Sequence, residues 1–316
     1  MTEIKDAGKY EFKQKFIERY SKLTDFEEFK KYSLSYARRS IRVNTLKISV
    51  EELKKRIEKD WSLDPIPWCK EGFWIEHKGV GEEKRRDVGN LVEHSLGYIY
   101  IQESVSMIPP IVLNPKPGDV VIDMAASPGS KTTQICAMMN NEGIVIANDI
   151  TGDRLKPLGL NLQRCGITNS IVTLMKAQKI RGLEFDKILL DAPCSGTGTI
   201  RKSLKTILIW NPTMVSRLAS TQKQLIENAF SLLKTGGEMV YSTCSVEPEE
   251  NEGVISFLLE KFSNAKVEEI NLNIKRSKPF VEFEGQNYNP EVSKCLRIWP
   301  QDNDTEGFFV AKIRKE

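Results

Sequence analysis

The sequence predicts an α/β fold: a parallel sheet covered by helices on both faces, preceded by a small α+β lobe. Three observations predict it. From Pro117 onward, short runs of Val, Ile and Leu alternate with helical stretches, the pattern of strands joined by crossover helices. A turn of small residues, Ala126-Ser127-Pro128-Gly129-Ser130, joins the first of these runs to the first helix. Finally, Asp191-Ala192-Pro193-Cys194-Ser195-Gly196 and Ser242-Thr243-Cys244-Ser245 each place a cysteine just after an apolar run. In open α/β sheets, ligands and chemistry collect at the carboxyl ends of the strands.

Taken in order, residues 9–32 read as helical, with Phe12, Phe16, Tyr20 and Leu23 on one face. Arg38 to Asn44 is a basic, alternating strand. Ser49 opens a helix, Glu52 completes a capping box, and Val50, Leu53, Ile57 and Trp61 form the buried stripe. Pro65 and Pro67 break the chain before a strand at Gly72–Ile75. This β-α-β piece, about 38–78, reads as a small lobe. Arg85 and Arg86 sit in a polar loop, and Gly97–Ile101 is an aromatic strand. The sheet strands follow at 120–125, 144–149, 171–174 and 185–190, with helices at 131–139 and 152–164. A long helix over 213–234 is expected to stop at Gly236-Gly237, the Cys244 strand follows, residues 249–261 are helical, and 307–313 is the last strand.

Size and charge narrow the function. The chain has 316 residues, 40% apolar and 28% charged, enough for a sizeable core in one large or two unequal domains. No apolar run reaches the roughly 18 residues of a membrane span, and the charged N-terminus is no secretory signal, so cytoplasm is the expected location. Six scattered cysteines without a C-x-x-C pair, and only two histidines, His77 and His94, argue against a metal site. Residues 1–50 hold twelve basic and seven acidic side chains, a net +5 against +3 for the whole chain. A basic arm on a near-neutral body fits a polyanion partner, and it equally fits solvated helix faces.

The turn after the first strand lets a ligand approach the backbone at a positive helix end. Asp149, at the end of the second strand, places a carboxylate where ribose hydroxyls would bind. An adenosine cofactor fits both features. The residue six positions before Lys131 is Ala125, which disfavours a triphosphate loop. The absence of G-x-G-x-x-G disfavours a nicotinamide site. A lone cysteine is commonly a small core residue. Two of them, both at strand ends beside a cofactor loop, point instead to nucleophilic catalysis.

The segments Asp123–Thr132, Asp191–Gly198 and Tyr241–Glu252, in this order, resemble the Sun/Nop family of RNA 5-methylcytosine methyltransferases, with the strongest likeness to its archaeal tRNA members. The likeness runs from about residue 36 to the end. It implies a Rossmann-like, S-adenosylmethionine-dependent methyltransferase sheet over 111–316. It also implies an N-terminal RNA-binding region over 1–110 that contains the RNA-recognition-like lobe. By the same resemblance Cys244 is the nucleophile and Cys194 the cysteine that releases product. Asp191 and Lys131 contact the target cytosine; a solvated place in the helix's first turn is the plain alternative for Lys131. Ala125, Ala126, Ser127, Pro128, Gly129, Ser130, Lys131, Asp149, Arg154 and Asp191 line the cofactor. Asp191 is expected to be protonated through burial, so that it can donate to the ring. The chain departs from the family at Ser127 and Ser130, small-for-small changes, and at Met175–Gln178, where many members carry an acidic residue for the adenine.

The expected reaction is methylation of cytosine carbon 5 in RNA, with tRNA as the leading substrate and rRNA as the alternative. Arg38, Arg39, Arg85, Arg86, Arg201, Lys202 and the basic arm are candidates for the RNA backbone. Trp210 and Tyr98 are candidates for base stacking or for the core. Two rivals remain: a non-catalytic RNA-binding or assembly factor, which would not need the cysteines, and an amine-directed methyltransferase, which would not need the second thiol.

Overall fold

The computed structural model describes residues 2–5, 7–81, 85 and 87–316. The chain forms two compact units: Arg38–Asp191 with Ser231–Val240, and Met1–Ala37 with Ala192–Phe230 and Tyr241–Glu316. The first is called here the sheet unit, the second the thiol unit.

The sheet unit begins with the small lobe. Its strands β1 (Ser40–Val43), β2 (Trp61–Ile66), β3 (Cys69–His77) and β4 (Ile99–Ile101) form an antiparallel sheet in the order β2-β3-β1-β4. The capping box forms as expected: Ser49 caps helix Val50–Ile57, and Glu52 reaches back to the Ser49 amide, worth about 1 kcal/mol. Strand β2 corrects the sequence reading. Trp61 pairs with His77 instead of ending the helical stripe, and Pro65 lies inside a strand. The order puts β2 on the edge of the sheet, where a missing amide is tolerated. The lobe's core gathers Ile41, Val43, Leu53, Ile57, Trp61, Phe73, Ile75 and Ile99, so the lobe extends beyond residue 78 to include β4.

The larger sheet of this unit contains β5 (Val120–Asp123), β6 (Ile144–Asp149), β7 (Ser170–Leu174), β8 (Phe185–Asp191) and β9 (Leu233–Thr243), in the order β7-β6-β5-β8-β9. Pairs β5–β6, β6–β7 and β5–β8 are parallel, the Rossmann-like arrangement expected from the sequence. The chain fills one side of β5 and then crosses to the other, so the switch point lies between β5 and β8. That is where such folds bind ligands. Helices Ser130–Met138 and Gly152–Cys165 follow β5 and β6. Ala126, Ala147, Leu158 and Leu162 form a buried cluster that packs the second helix beneath the small-residue turn.

In the thiol unit the expected helix over 9–32 is two helices, Gln14–Leu23 and Phe26–Ser33, because Asp25 caps the second through the Glu28 amide. The long helix runs Pro212–Ser231. It does not stop at Gly236-Gly237; both glycines lie within β9, which carries the buried Leu233. Helix Glu252–Lys261 is followed by β10 (Ala265–Glu268), a short hairpin of β11 (Glu282–Phe283) and β12 (Gln286–Asn287), then β13 (Leu296–Ile298) and β14 (Phe308–Lys315). Strand β14 pairs antiparallel with both β10 and β13. Among the described residues, no helix is long and apolar enough to cross a membrane.

Candidate active site

In the sheet unit, β5 ends at Asp123 and the turn that follows is fixed from several sides. The Ser127 amide donates to Asp149 (3.0 Å), and the Ser127 hydroxyl donates to the carbonyl of Arg154 (2.6 Å). Arg154 donates to Asp149 (2.8 Å) and to the Ser127 carbonyl (3.1 Å), while Asn161 and Tyr100 donate to the Pro128 carbonyl. Arg42, from β1 of the small lobe, is 3% exposed and donates to the Ser130 carbonyl and to Thr133. With its carbonyls held this way, the turn leads into helix Ser130–Met138, whose opening amides have no intrahelical acceptors. Gly129 sits at φ +104°, and a Cβ there would meet Leu158 at 3.1 Å. This backbone cradle, with a carboxylate twenty residues on, fits the carboxylate and ribose of S-adenosylmethionine. Asp149 is 2% exposed and already engaged by Ser127 and Arg154, so Arg154 lies over the expected ribose acceptor.

Lys131 is 8% exposed and donates to Asp191 at 2.7 Å, at the end of β8. The burial expected for Asp191 is absent: its side chain keeps 29% of its surface and accepts from an ammonium group. The solvated alternative for Lys131 is excluded by the same pair. The buried acid is Asp123, 1% exposed, its carboxyl pushed up to about 6 by burial despite a bond from Thr132 (2.7 Å). The sequence gives Asp123 no role of its own because it falls inside the expected strand 120–125.

In the thiol unit, the Cys194 and Cys244 sulfurs are 3.3 Å apart. Their backbones are tied: the Ala192 amide donates to the Ser242 carbonyl, and the Gly198 amide to the Cys244 carbonyl (2.9 Å). A Cβ at Gly198 would lie 2.8 Å from that carbonyl oxygen, so only glycine permits the approach. The contact with Cys244, burial and the negative Glu250 together push the Cys194 thiol well up. Either sulfur can be the donor in this contact, and the raised Cys194 thiol keeps its proton at neutral pH. The other four cysteines, Cys69, Cys136, Cys165 and Cys295, are buried. Three carboxylates that follow Cys244 are fully buried. Glu247 accepts from Arg19, Tyr20 and Trp210, Glu250 from Ser195, Ser245 and Gln222, and Glu252 from Arg297. In the sequence Glu250 and Glu252 fall in the helix expected over 249–261, and none of the three acids is given a role.

The comparisons follow this geometry. Residues 110–314 match the family described as 16S rRNA methyltransferase RsmB/F, and residues 12–104 match the N-terminal domain of 16S rRNA methyltransferase RsmF. The tRNA (cytosine(49)-C(5))-methyltransferase of Pyrococcus abyssi is 50% identical over 97% of this chain and 98% of its own length. The chain belongs to the RsmB/F family. Ribosomal RNA small subunit methyltransferase F of Vibrio parahaemolyticus is 45% identical over 88% of this chain, which spans 57% of that longer relative. Among solved structures, NSun6 from Pyrococcus horikoshii with SFG superposes with a TM-score of 0.83 at 27% identity, covering 96% of this chain and 98% of that one. A methyltransferase homolog from Pyrococcus horikoshii gives 0.80 at 38% identity, covering 92% and 90%. The fold, the methyltransferase class and the S-adenosylmethionine dependence expected of this RsmB/F chain are borne out.

The RNA candidates of this RsmB/F chain divide. Arg38, Arg39 and Lys202 are exposed; the Arg38 guanidinium lies 3.7 Å from the Trp74 ring centroid. Arg85 is exposed and paired with Asp87, and Arg86 lies outside the described residues. Arg201 corrects the expectation. It is 6% exposed and donates to the carbonyls of Ser35, Tyr36 and Thr305 and to Asp304, a tie that removes it from solvent. Trp210 is 1% exposed and belongs to the core. The arm also spends cations internally: Lys13 donates to the carbonyls of Leu208 and Trp210, and Arg19 pairs with Glu247, Glu249 and Glu284.

Proposed function

We propose that the protein methylates carbon 5 of cytosine in tRNA in the cytoplasm, with Cys244 as nucleophile and Cys194 as the releasing thiol. The paired sulfurs at 3.3 Å carry this reading. Carbon 5 of cytosine is a weak nucleophile. Addition of the Cys244 sulfur to carbon 6 makes the ring an enamine and splits one hard step into easier ones. Bound S-adenosylmethionine supplies an electrophilic methyl group, and the turn 125–131, Asp149, Arg154 and Asp191 would hold it. The Lys131–Asp191 pair belongs at the pyrimidine's polar edge: Lys131 brings positive charge to the ring as it gains negative charge, and Asp191 accepts from the exocyclic amine. Once the Cys244 sulfur is bonded to carbon 6, the Cys194 thiol gives its proton to water and stands as the thiolate. It then accepts the carbon 5 proton as the carbon–sulfur bond to Cys244 breaks, and Cys244 leaves as the thiolate.

The target base must be splayed out of its stack, because carbon 6 is attacked from the ring face. The RNA-binding region is 1–110 and the catalytic domain 111–316, with Arg38, Arg39, Arg85, Arg86 and Lys202 at the phosphate backbone. The full-length likeness to the Pyrococcus abyssi tRNA enzyme favours tRNA over rRNA. RNA carrying 5-fluorocytosine tests the chemistry. With methyl donor, the wild type is expected to form a denaturant-resistant adduct that Cys244→Ala does not form, with turnover lost by on the order of 10⁴-fold or more. Turnover that survives in Cys244→Ala would rule the reading out. Cys194→Ala is expected to accumulate adduct on ordinary tRNA.

A further inference from the structure

Glu250 lies six residues past Cys244 and is fully buried. Four donors converge on it. One carboxylate oxygen accepts from the Ser195 amide (2.9 Å) and from Gln222 Nε2 (2.8 Å). The other accepts the hydroxyls of Ser195 and of Ser245 (2.9 Å). Gln222 Nε2 also donates to the Pro193 carbonyl (2.9 Å). The carboxylate thus grips the residues on both sides of Cys194 and the residue after Cys244. Its neighbour Asn251 braces Cys244 from the same segment, accepting from Thr243 Oγ1 (2.6 Å) and donating to the Ser245 carbonyl (2.9 Å). Two of these partners are N–H groups that can only donate, and two are hydroxyls. An acid accepts all four bonds, whereas an amide could keep the N–H bonds only by turning its own N–H toward the hydroxyls and reversing their direction. A buried carboxylate needs all its partners to stay there, which makes the arrangement stiff.

We propose that Glu250 is a positioning residue: it locks the two cysteine-bearing loops together and sets the separation of their sulfurs. This rests on the reading in which both thiols serve one pyrimidine, and it makes release of product, more than attack, the step that depends on Glu250. Attack needs Cys244 alone, which Asn251 also holds, whereas release needs Cys194 at a fixed distance from it.

The thiol geometry can be read without RNA. Full-length wild type, Glu250→Gln and Glu252→Gln are treated with diamide, and the Cys194–Cys244 disulfide is followed by mass spectrometry of unreduced peptides. Glu252 is equally buried and close in sequence, but it bonds Arg297 and neither cysteine loop. The expected result is disulfide formation slowed about tenfold or more in Glu250→Gln and unchanged in Glu252→Gln. If Glu250→Gln fails to fold, Ser195→Ala and Gln222→Ala, which remove the donors instead, are expected to slow the same reaction. A second arm measures adducts: Glu250→Gln is expected to retain trapping by 5-fluorocytosine RNA and to accumulate adduct on ordinary tRNA. An unchanged disulfide rate in every variant that folds overturns the inference. A slowed disulfide without adduct accumulation upholds the positioning role and sinks only the release role of Cys194.

Discussion

The turn that would hold the methyl donor and the loops that carry the thiols are built on opposite principles. In the turn it is the backbone that is held. Its shape comes from small residues, from Gly129 in the left-handed region, and from donors that pin the carbonyls of Ser127, Pro128 and Ser130. Half-exposed Arg154 completes it. The thiol loops are held by side-chain and amide bonds to the buried carboxylate of Glu250, while its buried neighbours Glu247 and Glu252 serve partners elsewhere. A site that must admit and release a cofactor each cycle tolerates exposed, replaceable contacts. A pair of sulfurs whose separation decides chemistry demands buried, fully satisfied ones.

If this contrast is right, substitutions should differ in kind as well as in size. The largest effect is expected at Glu252→Ala. Arg297 is fully buried and would lose its carboxylate, at a cost of about 3–5 kcal/mol in denaturant unfolding. A loss below 1 kcal/mol would mean that the carboxylates near the thiols are ornamental. Next comes Asp123, the buried acid on the donor side whose carboxyl is pushed up. Its carboxyl sits at about 6 in the fold against 3.8 for the ordinary side chain. The fold disfavours the charged form, so the penalty is absent below pH 3.8, grows as pH rises to about 6, and is complete above. Asp123→Asn is therefore expected to raise stability by about 3 kcal/mol at pH 8 and to leave it unchanged at pH 3.5. Unfolding curves at the two pH values check the sign. The smallest effect is expected at Arg154→Ala, whose guanidinium is half-exposed and whose partner Asp149 keeps the Ser127 and Ile150 amides, a loss of about 1 kcal/mol. It should weaken S-adenosylmethionine binding about threefold by calorimetry, through a looser Ser127. A hundredfold loss would show that the donor side is as rigid as the thiol side.

The same contrast explains what could be read in advance. Strand Ile144–Asp149 and the capping box at Ser49 and Glu52 are legible because the signals lie within a few residues of each other. The resemblance named Lys131 and Asp191 as contacts of the target cytosine; that the two pair with each other was not expected. Strand β2 was missed because a proline argues locally against a strand and only the sheet order makes Pro65 an edge residue. Arg201 was misread because an arginine beside a lysine looks like a surface cation, while three backbone carbonyls from distant segments draw it inside.

The sequence by itself determined the alternation of strands and helices over about 120–190, the small-residue turn and the placement of Cys194 and Cys244 after two strands. Periodicity, turn chemistry and motif spacing are properties of neighbouring residues. Only the tertiary structure decided that the two sulfurs lie 3.3 Å apart, that Glu250 bonds both of their loops, and that Asp123 is buried while Asp191 is not. Those outcomes depend on bonds between residues tens to hundreds of positions apart and on exclusion of water, neither of which any short stretch of sequence encodes.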